Sequence, residues 1–96
     1  MSAVAELIDR YPELKIQIRV LGLIRDYQYN MERLKAILTK YGVKNVEGIE
    51  EKIKQGEVPE HPSYEDYLEA LSHQENMKET IMEIRKIADS LEAEMG

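Results

Sequence analysis

The sequence predicts an all-α protein, an antiparallel hairpin of two long helices with short N-terminal and linking helices, which pairs with a second hairpin into a helical bundle. Two observations predict this fold. The first is an apolar pattern in alternating steps of four and three, made by Val20, Ile24, Tyr27, Met31, Leu34, Leu38 and Tyr41. The second is a similar pattern within residues 63–94, separated from the first by a stretch that holds most of the glycines and prolines. Each pattern is typical of one face of a helix that packs against a partner.

The size of the chain limits how much it can bury. Its 96 residues make a single domain, and a chain of this length buries only about 60 to 65% of its unfolded surface. The sequence has no cysteine, which excludes disulfides and thiolate metal sites. We therefore expect association with another chain to supply part of the stability.

Charge is unevenly distributed along the chain, whose net charge is −6. Residues 12–41 contain six Lys or Arg and three Asp or Glu, whereas residues 57–96 contain three Lys or Arg and eleven Asp or Glu. The two segments should attract each other when the hairpin closes. An acidic chain binds phosphate backbones poorly, so we expect no nucleic acid partner.

The sequence also predicts where the protein resides. Its longest stretch poor in charge, residues 16–24, is interrupted by Arg19 and is far shorter than the roughly 18 residues that a membrane span requires. The N-terminus lacks a basic segment followed by an apolar core, so no export signal is visible. We expect no membrane association and a cytoplasmic location.

The first helix of the predicted hairpin is preceded by a short one. Residues 3–10 place Val4, Leu7 and Ile8 at helical spacing, with Ser2 as a candidate cap. Pro12 ends this helix and suits the first turn of the next one. The long helix is predicted over residues 13–41 and is closed by a glycine at position 42. We expect the short helix to pack on the apolar first half of the long one.

Residues 14–20 admit a second interpretation. Leu14, Ile16 and Ile18 alternate with polar residues, which is the period-two pattern of a strand. A helix is favoured because an isolated strand has no partner for its backbone hydrogen bonds. As a helix, this segment is apolar over most of its circumference and should be covered on two sides.

The remaining elements follow from capping and breaking residues. Asn45 predicts the start of a linking helix over residues 46–55, and residues 56–62, with two prolines, predict an extended connector. Ser63 and Asp66 form a helix start signal, after which nothing interrupts a helix over residues 63–94.

The five polar residues 72–76, with the sequence SHQEN, interrupt the apolar pattern of the last helix. Either the pattern shifts phase at this point or polar groups meet inside the bundle. The phase shift is the interpretation we favour. It predicts a half-exposed His73.

Glu32, Glu69 and His73 are the weak candidates for a metal site. Ferritin-like bundles use a Glu-x-x-His motif, but Glu69 lies four residues before His73, and Ala70 occupies the position of the acid. We therefore predict no bound metal and no cofactor.

Function is predicted as helix-mediated association, without enzymatic activity. No set of nucleophile, base and orienting residue can be assembled from the sequence. The predicted interface comprises Leu14, Ile18 and Leu21, a second apolar stripe on the first long helix, together with Tyr29, and its expected partner is a second copy of the chain. The alternative is a small ligand- or metal-binding bundle with an inward polar cluster around His73.

An acidic face on the last helix is a further candidate surface. It carries Glu65, Glu69, Glu79 and Glu83. We expect either a solvated face or a docking surface for a basic protein partner.

Overall fold

The computed structural model describes residues 3–95, of which 87% are helical, with no strand in that range. Its helices are α1 (Ala3–Arg10), α2 (Leu14–Tyr41), α3 (Val46–Lys54) and α4 (Glu60–Met95). The predicted all-α hairpin is confirmed, and residues 14–20 are helical. Ser2, expected to cap α1, lies outside the described residues.

Helices α2 and α4 pair along most of their length. Their antiparallel direction is shown by two ion pairs, one between Arg19 and Glu83 and the other between Lys40 and Asp66. The described chain measures 59 × 35 × 15 Å, and two paired helices form only one layer of structure. The hairpin is therefore a single layer that exposes both of its faces.

Helix ends lie close to their predicted positions. Gly42 ends α2 with φ 64°, a left-handed conformation that glycine adopts without strain. The Asn45 side chain caps α3 by accepting a hydrogen bond of 3.0 Å from the backbone N–H of Gly48. In α4 the backbone is non-helical at His61 (φ −115°, ψ 131°), so the regular part of this helix begins after that residue, as the start signal at Ser63 predicts.

The face of α2 that meets α4 differs from the predicted one at two of its seven positions, since the predicted Leu38 is half-buried and packs against the buried core. Leu23, Asn30 and Ile37 are buried, whereas Ile24 and Met31 are 41% and 43% exposed. Val20, Tyr27, Leu34 and Tyr41 of the predicted pattern do lie at the helix contact, where each is half-buried or buried. The prediction was wrong by one residue because it placed apolar Met31, rather than polar Asn30, in the contact.

Most buried apolar side chains lie at the end of the hairpin that carries α3, which we name the closed end. There Ile37, Tyr41, Val46, Ile49 and Ala70 form one cluster. Ile49 of α3 is fully buried and covers the space between α2 and α4. The third helix thus adds a second layer over this half of the molecule.

The opposite half, which we name the open end, consists of α1, residues 14–27 of α2 and residues 77–95 of α4. Among its described residues, Leu23 is the only buried apolar side chain. Helix α1 buries none of its residues, so the prediction that it covers the apolar first half of α2 was wrong. Its eight residues contact α2 near the Ile8 side chain, and Leu21 and Ile24 farther along α2 remain exposed.

Candidate functional site

A polar network lies inside the helix contact, midway between the two ends. His73 of α4 is only 8% exposed, and its ring Nδ1 lies 2.7 Å from Oδ1 of Asn30 on α2. Asn30 Oδ1 also accepts a bond from Asn76, and Asn30 Nδ2 donates to the backbone carbonyl of Asp26. These bonds orient the Asn30 amide, so His73 Nδ1 is the donor in its bond to Asn30. Polar groups therefore meet inside the hairpin, and the predicted phase shift with a half-exposed histidine was wrong.

The second ring nitrogen of His73 faces a carboxylate. Nε2 lies 3.0 Å from Oε2 of Glu69, and the same oxygen accepts a bond of 2.9 Å from Arg33. Bonds from His73 and Arg33 hold the pKa of Glu69 below its ordinary value. Both ring nitrogens thus face oxygen atoms, and a protonated ring donates to both.

The contacts of His73 and Glu69 determine whether the candidate ligands Glu32, Glu69 and His73 could hold a metal ion together. Glu69 and His73 lie together, but Glu32 is exposed, and its neighbour Arg33 is the residue of α2 that reaches Glu69. Across residues 3–95, no group of three His, Asp or Glu side chains is placed to hold a metal ion. A cation at His73 would also have to displace the bonds to Asn30 and Glu69.

One flank of the hairpin, which we name the charged flank, carries the ion pairs that the uneven charge distribution predicts. Arg33 pairs with Glu69 at 2.9 Å, Lys40 with Asp66 at 2.8 Å, and Arg19 with Glu83 at 3.7 Å. Of the predicted acidic docking face, Glu69 and Glu83 are therefore engaged by α2, and Glu65 is bonded to His61. Exposed pairs of this kind contribute about 0 to 1 kcal/mol each.

Tyr41 and Asp66 form a partly buried polar contact at the closed end. The Tyr41 hydroxyl donates to Asp66 Oδ2, which also accepts from Lys40. Burial, followed by the bond to Asp66, raises the pKa of Tyr41, whereas the bonds from Lys40 and Tyr41 lower the pKa of Asp66. The tyrosine is held as a neutral donor, which is the opposite of what a nucleophile requires.

Three of the predicted interface residues form one stripe on α2, and the fourth, Tyr29, lies farther along the helix. Leu14, Ile18 and Leu21 share one side by their spacing, and they range from half-buried Leu14 to Leu21 at 65% exposed. Tyr29 is exposed on the side that bears Arg33, where its ring meets the edge of the His73 ring at 6.1 Å. The three aliphatic residues therefore lie close together, and Tyr29 lies about three turns beyond Ile18 along α2.

Sequence reasoning missed two polar residues that the structure singles out. Asn30 was given no role in the sequence analysis, and its only signal is its spacing of seven from Leu23 and Ile37. Gln74 stood within the SHQEN run without a role of its own; its side-chain oxygen is buried.

None of the helices within residues 3–95 has the length and apolar character needed to cross a bilayer.

Comparison with known proteins gives one match. A protein-family model described as "Uncharacterized protein MJ0235 family" matches residues 15–93, which span α2, α3 and most of α4. No curated protein matches the chain, and no solved structure matches it.

Proposed function

The chain belongs to the uncharacterized protein MJ0235 family, whose description carries no activity, and from the geometry of the hairpin we propose that it is a non-enzymatic association module that forms a homodimer. The observation that carries this proposal is the bare apolar surface of the open end. Ile18, Leu21 and Ile24 are exposed there, and α1 leaves them uncovered. At the closed end, by contrast, the same side of α2 carries exposed polar residues, among them Glu32 and Lys35.

Surface area supports a partner of substantial size. The chain exposes 7426 Å², whereas a compact monomer of the same mass, 11.2 kDa, would expose about 5,700 Å². Two of these chains together therefore expose about 3,400 Å² more surface than two compact monomers of the same mass. Obligate homodimers bury roughly 2,000 to 5,000 Å². A second copy that packs on the open end would remove this excess and complete a four-helix bundle.

Size-exclusion chromatography with light scattering tests the dimer. We expect the wild-type protein to have twice the chain mass of 11.2 kDa. Leu21→Asp should be monomeric, because it places a charge in the proposed interface while Leu21 contributes little to the fold of one chain. Leu68→Asp is the matched control, since Leu68 is 45% exposed and lies near the closed end; it should remain dimeric.

Two results would contradict this proposal. One is a folded wild-type monomer at high micromolar concentration. The other is dissociation by Leu68→Asp with no effect of Leu21→Asp, which would assign the contact to the closed end.

The alternative functions have less support. A ligand or metal site around His73 competes with partners that both ring nitrogens already have. A basic protein partner on α4 would compete with Arg19 and Arg33 for two of the glutamates. The absence of cysteine from the sequence is consistent with our expectation of a cytoplasmic location.

A further inference from the structure

The groove that α3 covers between α2 and α4 continues beyond α3 toward the open end. Leu38 of α2 and Tyr67 of α4 line the covered part, where both pack against the buried cluster. Residues seven apart lie on nearly the same side of a helix, so this side continues to Met31 and Ile24 on α2 and to Ile81 on α4. A cavity of about 280 Å³ at the start of α3 is lined by both Leu38 and Ile81, so the two parts of the groove adjoin.

The part of the groove beyond α3, which we name the uncovered groove, is apolar and open to solvent. Ile24, Met31 and Ile81 are exposed, and half-buried Tyr27 lies between them. Helix α1 of the same chain meets α2 beside Arg19, before the uncovered groove begins. The groove therefore has the lining of a helix-docking site and lacks a docked helix within one chain.

Helix α1 carries the residue pattern of the helix that does dock, α3. In α3 the first, fourth and eighth residues are apolar, and the sixth and seventh are acidic and basic: Val46, Ile49, Ile53, Glu51 and Lys52. The same order occurs in α1 and the residue that follows it: Val4, Leu7, Tyr11, Asp9 and Arg10. The apolar residues of α3 are buried or half-buried, whereas those of the α1 set are 51%, 47% and 45% exposed. Helix α1 thus presents a docking face that its own chain leaves unused.

The lengths of the two surfaces match. The apolar residues of the α1 set extend over seven residues, or about 10 Å, and Ile24 and Met31 are also seven residues apart on α2. Helix α1 does not reach this site in its own chain, because the backbone N–H of Leu14 donates to the carbonyl of Tyr11 in a tight link. Met31 lies about 25 Å beyond Leu14, and α1 is only about 12 Å long.

We propose that the uncovered groove receives α1 of a second copy of the chain, and that the contact is reciprocal, as in a two-fold symmetric dimer. This inference rests on the proposed homodimer and identifies the segment that each chain contributes. Ile8 keeps α1 against its own α2, while Val4, Leu7 and Tyr11 pack on the partner. The partner's α1 then forms the second layer over the uncovered groove, as α3 does at the closed end.

Crosslinking with a short bismaleimide tests this contact, because the sequence has no cysteine and introduced thiols are the only ones present. We expect the double variant Leu7→Cys with Met31→Cys to give a covalent dimer on a denaturing gel. Trypsin and mass spectrometry should then find the peptide of residues 1–10 joined to the peptide of residues 26–33. Leu7→Cys with Leu68→Cys is the matched control, since Leu68 is 45% exposed and Met31 43%; it should give no link between positions 7 and 68.

The outcomes separate this contact from the dimer itself. A dimer in light scattering that lacks the link between positions 7 and 31, or that forms the link inside one chain, overturns the α1 contact and leaves the homodimer in place. A wild-type monomer overturns both.

A charge in α1 provides a second test. Leu7→Asp should weaken dimerisation at least tenfold in sedimentation equilibrium, because it places an unpaired carboxylate in an apolar contact. The helix content in circular dichroism should not change, since α1 buries none of its residues within one chain. Leu68→Asp is the control and should dimerise like the wild type. Equal dimerisation of the two variants would overturn the contact.

Discussion

Asn30 and His73 occupy positions that apolar side chains fill elsewhere along the helix contact. Each is buried, and each is satisfied mainly by the other and by neighbours on its own helix. Removal of one member therefore leaves an unpaired polar group in the contact, whereas removal of both leaves none. The cost of the two changes should be strongly non-additive.

Asn30→Leu should lower the free energy of unfolding by about 1 to 3 kcal/mol, because His73 Nδ1 loses its acceptor in a buried site. The double variant Asn30→Leu with His73→Leu should recover most of this loss or exceed the stability of the wild type. Urea unfolding followed by circular dichroism measures both. Additive losses in the double variant would show that the network does not act as a unit.

Acid should destabilise the protein through two carboxylates. The pKa of Asp66 lies below its ordinary 3.8 because Lys40 and Tyr41 donate to it, and the pKa of Glu69 lies below its ordinary 4.5 because His73 and Arg33 donate to it. Lowered folded-state pKa values stabilise the fold above the unfolded-state values, and this stability is lost as the pH falls through the folded-state values.

The urea midpoint should therefore fall between pH 6 and pH 3, and it should fall less in Asp66→Asn than in the wild type. Glu92→Gln, at an exposed position of α4, serves as the control and should follow the wild type. An Asp66→Asn profile as steep as that of the wild type would contradict the assignment.

Two helical glycines show how local space decides the effect of one methyl group. A Cβ atom at Gly48 in α3 would lie 2.8 Å from the Cβ atom of Val43, whereas a Cβ atom at Gly22 in α2 would have no neighbour within 4 Å. Alanine normally stabilises a helix interior relative to glycine, by roughly 0.5 to 1 kcal/mol.

Gly22→Ala should therefore raise the free energy of unfolding by roughly this amount, and Gly48→Ala should lower it by about 1 to 3 kcal/mol through overpacking. Adding Val43→Ala to Gly48→Ala should restore only part of the loss, since it removes the Val43 Cγ1 atom at 2.9 Å from the new methyl group but keeps the Cβ atom at 2.8 Å. Thermal unfolding compares the three. A stabilising Gly48→Ala would show that Val43 can move aside.

The helices themselves could be predicted from the sequence, because their ends are encoded by single residues. Pro12, Gly42 and Asn45 act through backbone geometry and local capping, which depend on neighbours in the chain alone. The pairing of the long helices followed from their apolar periodicity and opposite charge. The helix ends observed at Leu14, Tyr41 and Val46 are within one residue of those expected.

The face of each helix at the contact was harder to predict, because hydrophobicity alone does not separate neighbouring positions. Asn30 and His73 are buried as partners of each other, and neither has an apolar signal. Met31 and Ile24 are apolar but remain exposed because the single layer leaves that side bare.

At the scale of the whole molecule, the shape is extended for the chain length. The radius of gyration is 18.9 Å, compared with about 12.5 Å for a compact domain of 96 residues. The open end contributes to this elongation, because α3 packs at the closed end and α1 buries none of its residues. A homodimer that covers the open end would make the stability of the protein depend on its concentration.

Differential scanning calorimetry over a hundredfold range of protein concentration measures this dependence. The unfolding temperature of the wild type should rise with concentration, because dimerisation favours the folded chains by mass action. The unfolding temperature of Leu21→Asp should be independent of concentration. A wild-type value that does not change over this range would contradict the dimer.

The pairing of Asn30 with His73 also determines the register of α2 against α4. The contact repeats every seven residues, so sliding one helix by seven would again match apolar positions. Such a slide would place His73 opposite Leu23 or Ile37 and leave Asn30 without its partner. One alignment alone satisfies both polar groups, much as a single buried asparagine fixes the alignment of a coiled coil. The connector around residues 55–59 can therefore vary in length without shifting the two helices, because the alignment is set inside the contact and not by the chain that joins them.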